Sequence, residues 1–121
     1  MADVFEVKAT LKHLAIAPQK VRLVIDVIRG KNAYEALETL NYLPQRAAKP
    51  VFKLVESAIA NAEENFGLAG ADLYISQIYA DDGPRNRLRP YGGRFGARGR
   101  FKPIIRRTSH VTVILTESEY D

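Results

Sequence analysis

Apolar residues alternate with polar ones near the start of the chain and then recur at helical spacing. In residues 4–13 the alternating apolar positions are Phe5, Val7, Ala9 and Leu11. A period of two predicts a half-buried strand. From Pro18 to Ile28 the apolar positions recur at i, i+3, i+4 and i+7, and Gly30 follows. This pattern predicts a first helix over residues 18–29 with a left-handed stop at Gly30.

Two more helices are predicted further along the chain. Asn32 and Glu35 have the spacing of a capping box and open a short second helix. Pro44 is suited to the start of a third and longest helix. Its apolar face comprises Ala47, Val51, Leu54, Val55, Ala58, Ile59 and Ala62. Because Pro50 has no backbone N–H, it predicts a kink or a frayed start, and the regular helix is expected over residues 50–66.

Two segments near the end of the chain have the composition of strands. Residues 73–80 and 110–116 are rich in β-branched and aromatic residues and are expected to pair as an extended hairpin. The predicted fold class is α+β, with a small three-stranded antiparallel sheet, three α-helices packed on it and a long protruding basic β-hairpin. The 121 residues form one predicted domain, 1–121, with residues 84–103 as the hairpin arm.

Charge is unevenly distributed along the chain. Residues 83–116 contain nine Lys or Arg residues and no Asp or Glu, whereas the rest of the chain contains nine basic and fourteen acidic residues. The net charge of +4 therefore combines +9 in this segment with −5 elsewhere. A mildly acidic body with one strongly basic segment is typical of a scaffold that carries a polyanion-binding arm.

The arm has basic residues at alternate positions on both limbs. They are Arg85, Arg87 and Arg89 going out, and Arg98, Arg100 and Lys102 coming back. A two-residue turn at Gly93-Arg94 predicts the pairs Arg89 with Arg98, Arg87 with Arg100, Arg85 with Lys102 and Pro84 with Pro103. Because six like charges on one face repel, the free arm is expected to be mobile and to become ordered on an anionic partner. Amide exchange tests this expectation.

Eight of the nine basic residues are arginines, and aromatic residues lie among them. The planar guanidinium binds phosphate through paired hydrogen bonds and stacks on bases. The aromatic residues are Tyr91, Phe95 and Phe101. Aromatic side chains stack on the bases of single-stranded or looped RNA. The arm is therefore predicted to bind RNA.

Composition argues against several other classes of protein. The chain has no cysteine, which excludes a disulfide framework, a thiolate nucleophile and a Cys-based zinc site. Its two histidines are too few for a His-based metal centre, so neither a metal nor a cofactor is expected. The first residues lack the pattern of a secretory signal, and no apolar run approaches the ~20 residues of a membrane helix. A cytosolic protein is expected.

An enzyme is the first alternative. Asp81 and Asp82 are adjacent, so in a strand they point to opposite faces and cannot share a substrate. Ser109 and His110 are neighbours without a third group to orient the imidazole. Gly93, Gly96 and Gly99 lack the strand-to-helix setting of a dinucleotide loop. No catalytic residue is therefore expected.

Four motifs in order resemble one known family. They are Pro18-Gln19-Lys20-Val21-Arg22-Leu23-Val24, Ile28-Arg29-Gly30-Lys31, Ser57-Ala58-Ile59-Ala60-Asn61-Ala62-Glu63 and Arg107-Thr108-Ser109-His110-Val111-Thr112-Val113. Across almost the whole chain the sequence resembles the bacterial-type large-subunit ribosomal protein twenty-two. The resemblance implies a structural constituent of the large subunit that binds its ribosomal RNA, supports assembly and lines the nascent-peptide exit tunnel with its hairpin tip.

The resemblance adds residues to those of the arm. The candidate rRNA-binding residues are Lys20, Arg22, Arg85, Arg87, Arg89, Arg94, Arg98, Arg100, Lys102, Arg106, Arg107, Thr108, Ser109 and His110. The candidates for the tunnel tip are Tyr91, Gly92, Gly93, Arg94, Phe95 and Gly96. Three departures from the family are Ala17 in place of a capping Ser, Gln19 in place of a cation, and a longer, glycine-rich tip.

The implied partners are large-subunit rRNA, neighbouring ribosomal proteins and the nascent polypeptide, with no membrane and no small-molecule substrate. The implied location is the cytoplasmic ribosome, with an organellar ribosome left open. The second alternative is a free-standing RNA-binding or RNA-chaperone module with an Arg-Gly arm, which would bind many RNAs weakly and with steep salt dependence. A third possibility is that the acidic body docks proteins through Glu35, Glu38, Glu63 and Glu64.

Overall fold

The computed structural model describes residues 6–83, 86–87, 93–95, 101–103 and 105–117, and in the short arm strands it describes the backbone alone. The helices are α1 (Pro18–Ile28), α2 (Ala33–Tyr42) and α3 (Ala48–Phe66), and a 3-10 turn spans Gly70–Asp72. The strands are β1 (Glu6–Leu14), β2 (Tyr74–Asp82), β3 (Asn86–Arg87), β4 (Gly93–Phe95), β5 (Phe101–Pro103), β6 (Ile105–Arg106) and β7 (Ser109–Thr116).

The main sheet has β7 at its centre. Its order is β1-β7-β2, and both pairings are antiparallel. Alternate residues of β7, namely Val111, Val113 and Leu115, are completely buried against the helices. In the described residues, three helices therefore pack on one face of a three-stranded antiparallel sheet, and the predicted α+β class is confirmed.

The first helix follows its sequence pattern closely. It begins at Pro18, as predicted, and ends at Ile28, one residue before the predicted end. The predicted apolar stripe is completely buried at Val21, Val24, Ile25 and Ile28. Gly30 has a φ of +82°, a conformation that costs glycine little because it has no Cβ. The predicted left-handed stop is confirmed.

The second helix is capped as its sequence suggests and is tied to the third. The side chain of Asn32 accepts a hydrogen bond from the backbone N–H of Tyr34 at 3.0 Å. The Tyr34 hydroxyl donates to the Glu63 carboxylate at 3.0 Å. This hydrogen bond, more than the partial desolvation and the charge of Glu63, raises the pKa of Tyr34 above its ordinary value.

The third helix corrects the prediction made for its start. It begins at Ala48 rather than at Pro44 or Pro50, and Pro50 is its third residue. The first four N–H groups of a helix have no intrahelical acceptor, so proline costs little in this turn. The seven predicted face residues, from Ala47 to Ala62, are all buried, and Gly67 ends the helix with a φ of +65°.

The arm has a different register from the predicted one. Arg87 pairs with Ile105 rather than with Arg100, and Lys102 pairs with Arg94 rather than with Arg85. Gly93 pairs with Pro103, so Gly93-Arg94 lies inside β4 and is not the turn. Between the two short ladders lie residues 88–92 on one limb and residue 104 on the other. The prediction assumed limbs of equal length, whereas polar, glycine-rich strands specify register weakly.

Candidate nucleic-acid interface

The base of the arm continues the main sheet. β2 extends two residues beyond its predicted end, to Asp82, which pairs with Ser109 at the start of β7. One step further, the backbone N–H of Gly83 donates to the carbonyl of Thr108 at 2.9 Å. Both limbs of the arm therefore leave from a hydrogen-bonded ladder, which fixes the point at which the basic segment begins.

A glycine is required where the two limbs leave the sheet. A Cβ on Gly83 would clash with the Thr108 hydroxyl and lie 3.2 Å from the Thr108 backbone carbon and 3.3 Å from the Cε1 atom of His110. Thr108 is itself buried, with 4% of its surface exposed. The two limbs are therefore packed backbone against backbone at this point, which limits how far the base of the arm can open.

Ser109 has a structural role at this base. It is completely buried, and its hydroxyl donates to the carbonyl of Ile16, in the loop before α1. Ser109 is a predicted rRNA contact, but in this structure its hydroxyl is buried and bonded to Ile16. The hydrogen bond instead ties the first residue of β7 to the chain that enters α1.

His110 is held in one orientation by β1. Its Nδ1 atom accepts a hydrogen bond from the backbone N–H of His13 at 3.1 Å, and the two imidazole rings meet edge to face with centroids 5.0 Å apart. His13 has a φ of +59° and lies where the pairing of β1 with β7 shifts register. With Nδ1 as an acceptor, a neutral imidazole carries its proton on Nε2. That N–H is the donor available to a partner.

Two arginines of the α1 region bind the outer edge of β2. Arg22 donates to the carbonyl of Ala80 at 2.9 Å, and Arg29 donates to the carbonyl of Ile78 at 2.9 Å. Arg29 also forms an ion pair with Asp26 at 2.6 Å. Arg22, a predicted rRNA contact, therefore has one of its five N–H donors engaged within the protein. Sequence reasoning missed the role of Arg29, because side-chain bonds to an edge strand have no sequence signature.

Lys20 and Arg107 are two exposed predicted cations near the arm base, and no hydrogen bond within the described part of the protein engages either side chain. Lys20 lies in the first turn of α1, which has no side-chain cap because Ala17 holds the N-cap position. Arg107 precedes the buried pair Thr108-Ser109. The hydrogen bond from Ser109 to Ile16 brings the entry to α1 and the start of β7 together. Both cations thus belong to elements joined at the arm base.

A comparison with protein families gives this arrangement a context. The family model for ribosomal protein L22p/L17e matches residues 9–116, which include most of the sheet, the three helices and the whole arm. The chain belongs to the ribosomal protein L22p/L17e family. Members of this family are structural, non-enzymatic proteins of the large ribosomal subunit, where they bind rRNA and ribosomal proteins. This chain is therefore a structural protein of the large ribosomal subunit and acts in translation.

The predicted arm residues are only partly covered by the described structure of this L22p/L17e family member. Arg87, Arg94, Lys102 and Arg106 lie in its short strands, as do Gly93 and Phe95 of the tip. The residues outside the described ones are Arg85, Arg89, Arg98, Arg100, Tyr91, Gly92 and Gly96. Arg94 and Lys102 are register partners, so this ladder position joins two basic residues. The expected mobility of the free arm remains a prediction.

The described part of this family member has neither a cluster of metal ligands nor a helix that could span a membrane. Within that part, no three His, Cys, Asp or Glu side chains are grouped closely enough to hold a metal ion. Also within that part, no helix has the length and apolar composition needed to cross a membrane. The acidic pair Asp81 and Asp82 lies exposed in β2, where Asp81 is the register partner of His110.

Proposed function

We propose that this chain binds large-subunit rRNA through its basic arm together with Lys20, Arg107 and His110 at the arm base. The arm supports assembly by neutralising phosphates, and its tip lines the nascent-peptide exit tunnel. The tip residues proposed to face the tunnel are Tyr91, Gly92, Gly93, Arg94, Phe95 and Gly96. The ribosome concerned is the cytoplasmic one, and the nascent polypeptide and neighbouring ribosomal proteins are further partners.

One observation carries this proposal: a basic segment without Asp or Glu extends from a base that hydrogen bonds hold in place. The ladder at Gly83 and Thr108 and the bond from Ser109 to Ile16 hold the root of the arm against the body. The chain between Gly83 and Thr108 has nine cations and no acid. A rigid root with a basic extension can place positive charge at a set distance and direction from the helical body.

The mechanism follows from phosphate electrostatics. RNA segments repel one another unless cations neutralise their phosphates, and a protein that does so releases bound counterions. Arginine makes paired hydrogen bonds to phosphate, and the Nε2–H of His110 adds a single donor at the base. Contacts to phosphate and ribose position a protein without reading base sequence. The specificity of this chain would then depend on the shape of the folded RNA around an arm whose base is fixed.

Binding of the purified chain to large-subunit rRNA tests the proposal. A small-subunit rRNA fragment of equal length serves as the competitor. The double variant Lys20→Gln, Arg107→Gln should bind large-subunit rRNA about tenfold more weakly. The slope of the logarithm of its affinity against the logarithm of salt concentration should be less steep by roughly two units. The matched control Lys49→Gln, Lys53→Gln removes two exposed lysines of α3 and should bind normally. Equal affinity for both RNAs would instead favour the free-standing RNA-binding module.

A further inference from the structure

The two edge strands of the main sheet, β2 and β1, differ in what contacts their outer sides. On the β2 edge, Arg22 and Arg29 donate to the carbonyls of Ala80 and Ile78. On the opposite edge, β1 has β7 as its single partner strand among the described residues. β1 is nine residues long, from Glu6 to Leu14. Among the described residues, no strand pairs with the outer side of β1. The backbone donors and acceptors on that side are therefore open to an incoming strand.

A groove of about 560 Å³ lies beside the second half of β1. Its described lining residues come from the end of β1, the loop before α1, the loop before α3 and the first half of α3, and none comes from β7 or β2. The groove therefore opens at the free edge of β1 and not over the middle of the sheet. Its apolar lining residues are Leu11, Leu14, Ala15, Ile16, Pro50 and Leu54.

The charged side chains described in the lining of this groove are all basic. Arg46, Lys49 and Lys53 are all exposed and line it, and no acidic residue is among its described lining residues. Arg46 lies two residues before α3, whereas Lys49 and Lys53 lie four residues apart within it and are neighbours on one helix face. The groove thus combines an apolar floor with a cationic wall next to a free strand edge.

We propose that the β1 edge and this groove bind an extended protein segment that carries both aliphatic and acidic residues on one face of its strand. The segment would pair with β1 as an additional antiparallel or parallel strand, which supplies affinity through backbone hydrogen bonds. Because side chains of a strand alternate between faces, every second residue of the segment faces the groove, where the aliphatic ones meet its apolar floor and the acidic ones meet Arg46, Lys49 and Lys53. This site is separate from the arm base and does not depend on the proposed rRNA contacts.

The lining favours a peptide over RNA as the occupant. Six of the eleven described lining residues are apolar, and they give phosphate and ribose no hydrogen-bonding partner. Aliphatic side chains gain free energy from such a floor in proportion to the apolar area buried. Neither aromatic rings for base stacking nor glycine-rich backbone for phosphate occurs among these described lining residues. The partner is therefore expected to be a protein, and RNA binding in the groove is an outcome that the test must exclude.

The test uses the full chain and three fluorescent probes. They are a ten-residue Glu-Leu peptide with Leu and Glu in turn at every second position and Ser between them, a Lys-Leu peptide with Lys in place of each Glu, and a ten-nucleotide uridine RNA. The Glu-Leu peptide should bind at least tenfold more tightly than the Lys-Leu peptide. Binding should also slow hydrogen exchange of the amides of β1 more than those of β2, because only β1 gains a partner strand.

Two double variants separate this site from the arm base. Lys49→Glu, Lys53→Glu should weaken binding of the Glu-Leu peptide at least tenfold and leave large-subunit rRNA binding unchanged. Both residues are exposed, and acids near the start of a helix are favourable, so the variant should fold. Lys20→Glu, Arg107→Glu makes the same change of charge at the arm base and should weaken rRNA binding while leaving peptide binding unchanged.

Each other outcome overturns the proposal. Equal affinity for the two peptides would remove the electrostatic argument, and unchanged exchange in β1 would remove the added strand. Loss of uridine-RNA or rRNA binding in Lys49→Glu, Lys53→Glu would make the groove part of the RNA surface. If the groove fails to bind the peptide as expected, the proposed function still stands. It is tested separately, by the rRNA affinity of Lys20→Glu, Arg107→Glu.

Discussion

Arg107 and Ser109 are two positions apart, yet they have opposite environments. Arg107 is exposed, whereas Ser109 is completely buried and donates its hydroxyl to Ile16. The family-like motif gave both residues the same expected role, because a motif records residue types and not their burial. The structure separates a residue that is available to RNA from one that holds the arm base together.

Replacing Ser109 and Arg107 in turn measures this difference. Ser109→Ala leaves the buried Ile16 carbonyl without this donor, which should lower the free energy of unfolding by about 1–3 kcal/mol in urea denaturation. At a temperature where the variant is folded, its rRNA affinity should match that of the wild type. Arg107→Gln should show the reverse, with normal stability and weaker rRNA binding. Weaker rRNA binding by folded Ser109→Ala would restore Ser109 as a direct contact.

Gly83 is the second residue whose neighbours decide its effect. Gly83→Ala places a methyl group against Thr108, including its backbone, and should destabilise the chain by about 1–3 kcal/mol in thermal denaturation. Gly70→Ala is the control, because its new Cβ would meet the ends of the Tyr34 and Glu63 side chains, which can move. Gly70→Ala should therefore cost less. An equal cost at both positions would show that the arm base is not tightly packed.

At the scale of elements, the positions of most helices and strands were predictable from the sequence. The pairing of the short arm strands was not. The burial of Val21, Val24 and Ile25 follows from helical periodicity, which is a strong signal over eleven residues. The arm has no such periodic apolar pattern, so alternating arginines could not fix its register. The start of α3 was misplaced because Pro50 reads as a helix breaker unless its position in the first turn is known.

Engineered cysteine pairs test the arm register directly. The chain has no cysteine, so a single new pair has no competing thiol. Arg94→Cys with Lys102→Cys should oxidise readily to an intramolecular disulfide, because register partners have Cα atoms about 4.5–5.5 Å apart. Arg87→Cys with Arg100→Cys, the pair expected from an unbroken ladder, should oxidise slowly. Faster oxidation of this second pair would contradict the described register.

The β2 edge provides another element-level test. Arg22→Ala with Arg29→Ala removes the donors to the carbonyls of Ala80 and Ile78. Exposing that edge should speed amide exchange in β2 and promote self-association, measured by light scattering. The loss in unfolding free energy should be about 1–3 kcal/mol for the pair. The control Lys49→Ala with Lys53→Ala removes two exposed cations from α3, away from this edge. Equal self-association of both variants would reject the edge-protecting role.

At the scale of the whole molecule, the chain divides into a packed α+β body and a basic arm. This division remains a prediction from the sequence, and it rests on the nine cations without an acid in residues 83–116, which differ from the charge balance of the body. The sequence did not predict how the arm is anchored. The bonds from Ser109 to Ile16 and from His13 to His110 join residues more than ninety positions apart, and no local pattern encodes them.

The central claim is that the arm of this ribosomal protein places its tip against large-subunit rRNA in the tunnel wall. A photo-crosslinking residue at Phe95, introduced in cells, tests it most directly after a high-salt wash and sequencing of the attached RNA. The same group at Tyr42, an aromatic residue of α2 that is 83% exposed, is the matched control. Adducts from Phe95 should concentrate in tunnel-wall RNA and sediment with the large subunit, whereas those from Tyr42 should not map there. Phe95 adducts spread over many transcripts and absent from ribosomal particles would contradict the account.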